Sequence, residues 1–94
     1  MNDLPAIAHD AARQRFHLEV DGHEAELDYH LQGETLVIDH TGVPEAIGGR
    51  GVAGRLVREA FDHARGRGWR VLPACSYARV WVSRHPEYAD VLAE

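Results

Sequence analysis

One stretch organises this chain, Gly48-Gly49-Arg50-Gly51-Val52-Ala53-Gly54. It is rich in glycine, and it begins a segment from Val52 to Ala64 in which apolar residues recur at helical spacing. A glycine-rich loop at the start of a helix directs several backbone N–H groups and the positive end of the helix dipole toward one point, which suits a phosphate group. The stretch predicts a phosphate-binding loop. The alternative is a flexible turn that brings the helix close to a sheet.

The segments before this loop have the two-residue period of half-buried strands. Apolar and polar residues alternate over residues 16–20 and 25–31, and Asp21-Gly22 between them is a pair that a type I′ hairpin turn favours. Residues 35–40 alternate less, which is typical of a strand covered on both faces. This half of the chain therefore predicts a three-stranded antiparallel meander in which Leu31 is among the inward-facing residues.

The segments after the loop predict a helix that stops at Gly68, then a fourth strand from Trp69 to Cys75. A strand, helix and strand of this length favour a parallel crossover beside the third strand, with pairing that ends at Pro73. Short helices follow, the last beginning at Pro86. The predicted fold class is α+β, with a mainly antiparallel sheet, one βαβ crossover and short C-terminal helices. Residues 1–11 are expected to form a flexible N-terminal tail and residues 12–94 the single domain.

Composition narrows the class of function. The 94 residues carry a net charge of −5, whereas nucleic-acid-binding domains need a basic surface. The chain has one cysteine, which excludes an internal disulfide and indicates a reducing compartment. No apolar run approaches the roughly 20 residues of a membrane span. We therefore expect a cytoplasmic protein, monomeric or weakly dimeric, with no membrane or nucleic-acid partner.

The histidines do not suggest a metal site. The chain has seven, and His17, His23 and His30 occupy polar strand positions with no metal-ligand spacing. On the predicted helix, His63 stands beside Glu59. We expect these side chains to lie on the solvated surface.

Two common phosphate-binding motifs are excluded. Gly49-x-Gly51-x-x-Gly54 matches the dinucleotide fingerprint in its glycines, but three predicted antiparallel strands precede it and no acidic residue lies between Gly68 and Ala74. A Walker loop is excluded because no Lys-Ser or Lys-Thr follows the glycines.

A more specific resemblance rests on several pieces in one order: His40-Thr41-x-Val43-Pro44, Gly49-Arg50-Gly51-Val52-Ala53, Pro73-x-Cys75-Ser76-Tyr77 and His85-Pro86-Glu87-Tyr88. With the order of elements, these pieces resemble the GNAT superfamily, and within it the small single-domain branch of N-acetyltransferase-like proteins, over roughly residues 15–92. The resemblance implies an N-acetyltransferase that moves the acetyl group of acetyl-CoA to an amine of a protein, peptide or small molecule. The alternative is a non-catalytic acyl-CoA-binding or protein-interaction module.

The resemblance also implies where acetyl-CoA binds. Its pyrophosphate is expected at the amides of Gly49, Arg50, Gly51, Val52, Ala53 and Gly54, and its pantetheine along His40, Thr41 and Val43. The superfamily usually has Gln or Arg three residues before Gly51, and Gly48 stands there in this chain. Arg50 or Arg55 could supply a charge-assisted contact instead.

Three side chains are candidates for the chemistry. Cys75 ends the fourth strand and could accept the acetyl group if His40, at the end of the neighbouring strand, acts as its base. Equally, Cys75 could be a small buried residue and His40 a strand-end residue bonded to the loop. Tyr77 resembles, by its position after the last strand, the tyrosine that protonates the leaving thiolate in many GNAT enzymes. Its spacing with Ala78 and Trp81 is also that of a packed helix face.

Overall fold

A five-stranded sheet forms the centre of the structure, a computed structural model that describes residues 5–93. The elements in chain order are β1 (Ala8–Asp10), β2 (Arg15–Val20), β3 (His23–Gln32), β4 (Thr35–Gly42), a 3₁₀ helix (Glu45–Ile47), α1 (Val52–Arg67), β5 (Arg70–Pro73), α2 (Ser76–Ser83) and a second 3₁₀ helix (Pro86–Val91). The strands lie in the order β1-β2-β3-β4-β5. Neighbouring strands are antiparallel except β4 and β5, which are parallel and joined through α1.

The predicted meander and crossover are confirmed. Asp21 and Gly22 join β2 to β3 with φ angles of 51° and 79°, as a type I′ turn requires. The strand β5 pairs with β4 from Arg70 to Pro73 and stops there. One inward-facing residue differs from expectation, because Leu31 is 38% exposed. It lies near the end of β3, beside the turn into β4.

The first strand, β1, is absent from the sequence prediction. The expectation of a flexible tail over residues 1–11 is wrong for Ala8–Asp10, which pair with β2 in the register His9 to Phe16. A short strand can pair through its backbone without alternating apolar and polar residues. The three residues Ala-His-Asp therefore show no pattern that predicts a strand. Residues 1–4 of the expected tail lie outside the described residues.

Both helices pack against the same face of the sheet, and the second 3₁₀ helix packs against the two helices. One buried cluster joins that face to α1, α2 and the C-terminal segment; its largest fully buried members include Phe16, Leu27, Leu36, Ile38, Leu56 and Phe61. Trp81, which the helical spacing placed on a packed face, is buried in it, and so is Tyr88. In the last segment, which begins at Pro86 as predicted, the helix is 3₁₀. Beyond it, Ala93 donates its backbone N–H to the Val71 carbonyl at 2.8 Å, along the outer edge of β5.

The opposite face of the sheet, here called the outer face, is mainly polar, with the paired Val37 and Leu72 as apolar exceptions. His17 and His30 lie there as predicted, paired with Glu24 at 3.1 Å and with Asp39 at 2.8 Å. Arg15 binds Asp28 on the same face at 2.7 Å. The alternation of β2 and β3 therefore sorts the chain into a packed face and a solvated face.

His63 is not on the solvated surface, which corrects the prediction. It is half-buried in an aromatic cluster made of His9, Phe16, Tyr29, His63 and Trp69. His9 stacks on Phe16 with ring centres 4.1 Å apart, and its Nε2 is joined to the Tyr29 hydroxyl by a 2.6 Å hydrogen bond. The edge of His63 meets His9 at 4.6 Å. Burial lowers the pKa of His63, and the nearby His9 and Arg67 lower it further.

Within residues 5–93, no helix combines the length and the apolar character that crossing a bilayer requires.

Candidate active site

The end of β4 carries a β-bulge. Asp28 of β3 pairs with His40, whereas the next residue, Tyr29, pairs with Ile38, so Asp39 is the extra residue. On its other side β4 pairs with β5 only as far as Ile38 and Pro73. The N–H groups of Ala74 and Cys75 both turn to the Ile38 carbonyl at 3.1 Å. Residues 39–42 therefore run past the end of β5, and the two parallel strands part at this point.

The bulge decides which side chains of β4 face the helices. His40 lies opposite Asp28 on the outer face, where its Nε2 is 3.6 Å from a Glu26 carboxylate oxygen and its side chain is 60% exposed. Thr41 lies opposite the buried Leu27, on the packed face. The residue beside Cys75 is therefore Thr41, and not His40.

Cys75 lies at the junction of β5 and α2. Its half-buried thiol donates to Thr41 Oγ1 at 3.6 Å and accepts the Ala78 N–H at 3.5 Å, so Cys75 is the N-cap of α2. No hydrogen bond joins Cys75 to His40 in the part of the chain that the structure describes. The structure therefore does not support His40 as the base for Cys75, because His40 lies on the outer face of the sheet and Cys75 lies beside Thr41 on the packed face.

The glycine loop leaves its main chain exposed. Gly49 and Gly51 have φ angles of 81° and 77°, in the left-handed region where a side chain would be strained. Gly51 is the N-cap of α1 and offers no side chain to cap it. Among residues 5–93, the N–H groups from Gly49 to Gly54 donate to no carbonyl or side chain. These amides are free to receive an acceptor from outside the protein.

An open cleft of about 320 Å³ lies over this loop. It is lined by Val43, Ile47, Gly48, Gly49, Gly51, Val52, Ala53 and Tyr77. Sequence reasoning did not include Ile47 and Gly48 among the binding residues. Their position in the sequence could have indicated them. Both residues come directly before the loop, so they lie next to the helix start.

Tyr77 belongs to the cleft. Its side chain is 42% exposed, so the packed-face interpretation is wrong for Tyr77, although it holds for Ala78 and Trp81. Burial of the hydroxyl raises the pKa of Tyr77, and the neighbouring Cys75 raises it further. The phenol therefore stays protonated at neutral pH and can donate a proton.

The remaining predicted binding residues have other partners. Arg50 binds Asp21 of the β2–β3 turn at 2.8 Å, and Arg55 donates to the Pro5 carbonyl at 2.8 Å. Gly54 faces α2, with Tyr77 and Trp81 beside it. Both arginine side chains therefore bind other parts of the protein. Main-chain groups thus dominate the polar lining of this site.

No cluster of three or more His, Cys, Asp or Glu suited to a metal ion occurs within residues 5–93.

Comparison with known proteins gives a consistent result. The family model for the GCN5-related N-acetyl-transferase matches residues 15–91. Protein NATD1 of Bos taurus is 34% identical over 83 residues, which cover 85% of this chain and 74% of that protein. Protein NATD1 of Danio rerio is 32% identical over 89 residues, which cover 89% of this chain and 81% of that protein. The solution NMR structure of a GCN5-like protein from Staphylococcus aureus matches with a TM-score of 0.77 and 29% identity, covering 99% of this chain and 91% of that one.

Proposed function

This chain belongs to the GCN5-related N-acetyltransferase family and has its α+β fold, and from that premise we propose that it transfers the acetyl group of acetyl-CoA to an amine. The observation that carries the proposal is the run of free amides from Gly49 to Gly54, beside the point where β4 and β5 part. The acceptor amine belongs to a protein, a peptide or a small molecule, and the cytoplasm is the proposed location.

The free amides would hold the pyrophosphate of the cofactor. Several N–H groups at a helix start bind an anion with little need for side-chain charge, which compensates for Gly48 in place of Gln or Arg. Val43, just beyond the end of β4, lines the cleft, and Thr41, two residues earlier in β4, contacts Cys75. The pantetheine arm would lie along this segment, whose edge is free of β5.

Acetyl-CoA supplies an activated acyl group, so the protein needs chiefly to orient it and to stabilise charge. Backbone N–H groups of residues 39–42, where β4 runs past the end of β5, would stabilise the developing oxyanion. Tyr77 would donate its proton to the thiolate that leaves, since a phenol is protonated at neutral pH.

Cys75 is the candidate nucleophile. Its thiol lies at the start of α2, where the sulfur accepts the Ala78 N–H. Thr41 Oγ1 is the acceptor of its hydrogen bond, and the thiol proton would pass by this hydroxyl to water as the sulfur attacks the acetyl carbonyl and the C–S bond to CoA breaks. The acceptor amine would then take the acetyl group from the sulfur and restore the thiol. His40 has no part in this assignment, because it lies on the outer face.

A non-catalytic acyl-CoA-binding or protein-interaction module is the competing function. One observation favours it: within residues 5–93 no histidine or carboxylate is hydrogen-bonded to the Cys75 thiol. A mechanism in which the amine attacks acetyl-CoA directly does not need such a base on Cys75.

Isothermal titration with acetyl-CoA, NADH and ATP tests the cofactor class. We expect binding of acetyl-CoA, with NADH and ATP at least tenfold weaker (about 1.4 kcal/mol). CoA release is then measured across a panel of amines that includes lysine peptides, polyamines and aminoglycosides. Binding without CoA release on any amine would leave the non-catalytic module, and no binding of acetyl-CoA would contradict both functions.

The substitution Cys75→Ala tests the nucleophile. We expect acetyl transfer to slow by about a hundredfold or more with the affinity for acetyl-CoA unchanged, because the thiol contacts Thr41 and Ala78 and lies away from the part of the cleft over the glycine loop, where the pyrophosphate would bind. The matched variant Thr41→Val keeps the thiol and removes its hydrogen-bond acceptor. Unchanged turnover in Cys75→Ala would make Cys75 a packing residue and leave direct attack by the amine.

A further inference from the structure

Gly54 lies in the first turn of α1, where α2 crosses it. A Cβ placed at Gly54 would be 3.3 Å from Nε1 of Trp81 and 3.5 Å from the hydroxyl oxygen of Tyr77. Glycine inside a helix costs about 1 kcal/mol relative to alanine. Since the Gly54 backbone is helical, the close approach of α2 is the physical reason for glycine at this position.

Trp81 is the fixed side of this contact. It is 7% exposed and stacks on His85 with ring centres 3.8 Å apart. His85 is itself bonded through Nδ1 to the Trp81 carbonyl at 2.7 Å, and Phe61 packs against the indole from α1. A methyl group that pushes on this packed indole therefore pushes on α2 as a whole, and Tyr77 moves with that helix.

We propose that Gly54 is a positioning residue: its missing side chain lets α2 lie against the first turn of α1 and so sets the position of the Tyr77 hydroxyl in the cleft. This inference rests on the proposed function, in which Tyr77 is the proton donor. It gives Gly54 a role through α2, in addition to its exposed amide. Tyr77 and Gly51 line the same cleft, so a displacement of α2 moves the hydroxyl relative to the loop.

Gly66 provides a matched control. It is also a glycine of α1, and a Cβ there would meet nothing within 4 Å. Alanine at either position removes the same helix penalty. Only alanine at position 54 meets α2, so any difference between the two variants beyond stability comes from that contact.

The first measurement needs no substrate. Titration of the tyrosine ring carbons by NMR, with Tyr77→Phe to identify the Tyr77 signal, reports the surroundings of this hydroxyl. We expect Gly54→Ala to shift the pKa of Tyr77 toward its ordinary value, because the displaced hydroxyl becomes more exposed. Gly66→Ala should leave the titration unchanged. An unchanged titration in a folded Gly54→Ala would overturn the proposal.

The second measurement is a double-mutant cycle on steady-state transfer. We expect Gly54→Ala to lower kcat severalfold with KM for acetyl-CoA almost unchanged, since a displacement of a few tenths of an ångström is a fraction of the misplacement by about 1 Å that costs about a hundredfold. In the Tyr77→Phe background the same substitution should have no further effect. An equal loss in both backgrounds would mean that Gly54 acts on packing alone.

The two hypotheses fail separately. If Tyr77→Phe transfers acetyl groups at the unchanged rate, the proton-donor role of Tyr77 is wrong, and the NMR titration still decides whether Gly54 positions the hydroxyl. Trp81→Phe supplies a rescue, because removal of the indole Nε1 makes room for the added methyl group. The titration shift of Gly54→Ala should shrink in that background, and a full shift there would contradict the proposed contact.

Discussion

The two ends of α1 are built from different groups. At the N-terminal end, Gly49 and Gly51 present bare main chain to an open cleft, and the amides there have no acceptor among residues 5–93. At the C-terminal end, His63 enters an aromatic cluster with Phe16 and His9, and these rings pack against each other at 4.1–5.6 Å. One end leaves hydrogen-bond donors free and the other encloses side chains.

This difference separates stability from binding along one helix. Substitution in the aromatic cluster should change the free energy of unfolding and leave the cleft intact. Substitution in the loop should change ligand affinity with a smaller effect on folding. A small domain is only marginally stable. The packing at one end of α1 therefore has to stabilise a helix whose other end has unpaired amides.

Phe16→Ala should have the largest effect. Phe16 is 1% exposed and packs against His9, Tyr29 and His63, so its removal leaves a cavity that costs about 3–5 kcal/mol in unfolding free energy. Urea denaturation measures the loss, and Leu31→Ala at an exposed position should lose far less. A cost for Phe16→Ala equal to that for Leu31→Ala would mean that the cluster contributes nothing to stability.

Gly51→Val tests the open end. The new side chain is strained at a φ of 77° and stands where the pyrophosphate is proposed to lie. We expect acetyl-CoA affinity to fall at least a hundredfold, about 2.7 kcal/mol, by isothermal titration. Gly33→Val is the control, because Gly33 also has a positive φ and open space around it but lies away from the cleft. Equal loss of affinity in both variants would attribute the effect to strain alone.

Mild acid should have the smallest effect, confined to the packed end. Burial lowers the pKa of His9, with a further contribution from Arg67 that Asp10 opposes, and burial also lowers the pKa of His63, with His9 and Arg67 adding to it and Glu59 opposing them. His9 and His63 therefore bind protons more readily when β1 is detached from the sheet than when it is docked. Docking of β1 is complete above a pH of about 6.5 and weakens as the pH falls below that value.

Hydrogen-exchange protection of the β1 amides, corrected for intrinsic rates and measured between pH 7.5 and 5, checks this expectation. Protection of Ala8–Asp10 should fall on acidification while that of β3 stays constant. His9→Phe keeps a ring on Phe16 without a titrating group, and its β1 protection should depend less on pH. Identical pH profiles in the two proteins would contradict the role of His9.

The sequence could predict what depends on periodicity and on glycine placement. Alternation located β2 and β3, and the run from Gly48 to Gly54 located the cleft. The face of His40 could not be predicted, because one inserted residue, Asp39, reverses the alternation of β4 and leaves no mark in composition. The prediction for His63 failed for a related reason. Helical spacing indicates only the side of the helix on which a residue lies, and β1, which covers that side, is held by backbone pairing that the sequence does not reveal.

The backbone bond from Ala93 to Val71 has a consequence for how the chain behaves in concentrated solution. An open strand at the margin of a sheet is a template on which other chains can add, and this is a common route to fibrils. Here the C-terminal segment occupies part of the outer margin of β5, and the other margin belongs to β1, which has only three residues. Shortening the chain before Leu92 would uncover that template, so a truncated form should aggregate sooner than the intact one even where its site is untouched.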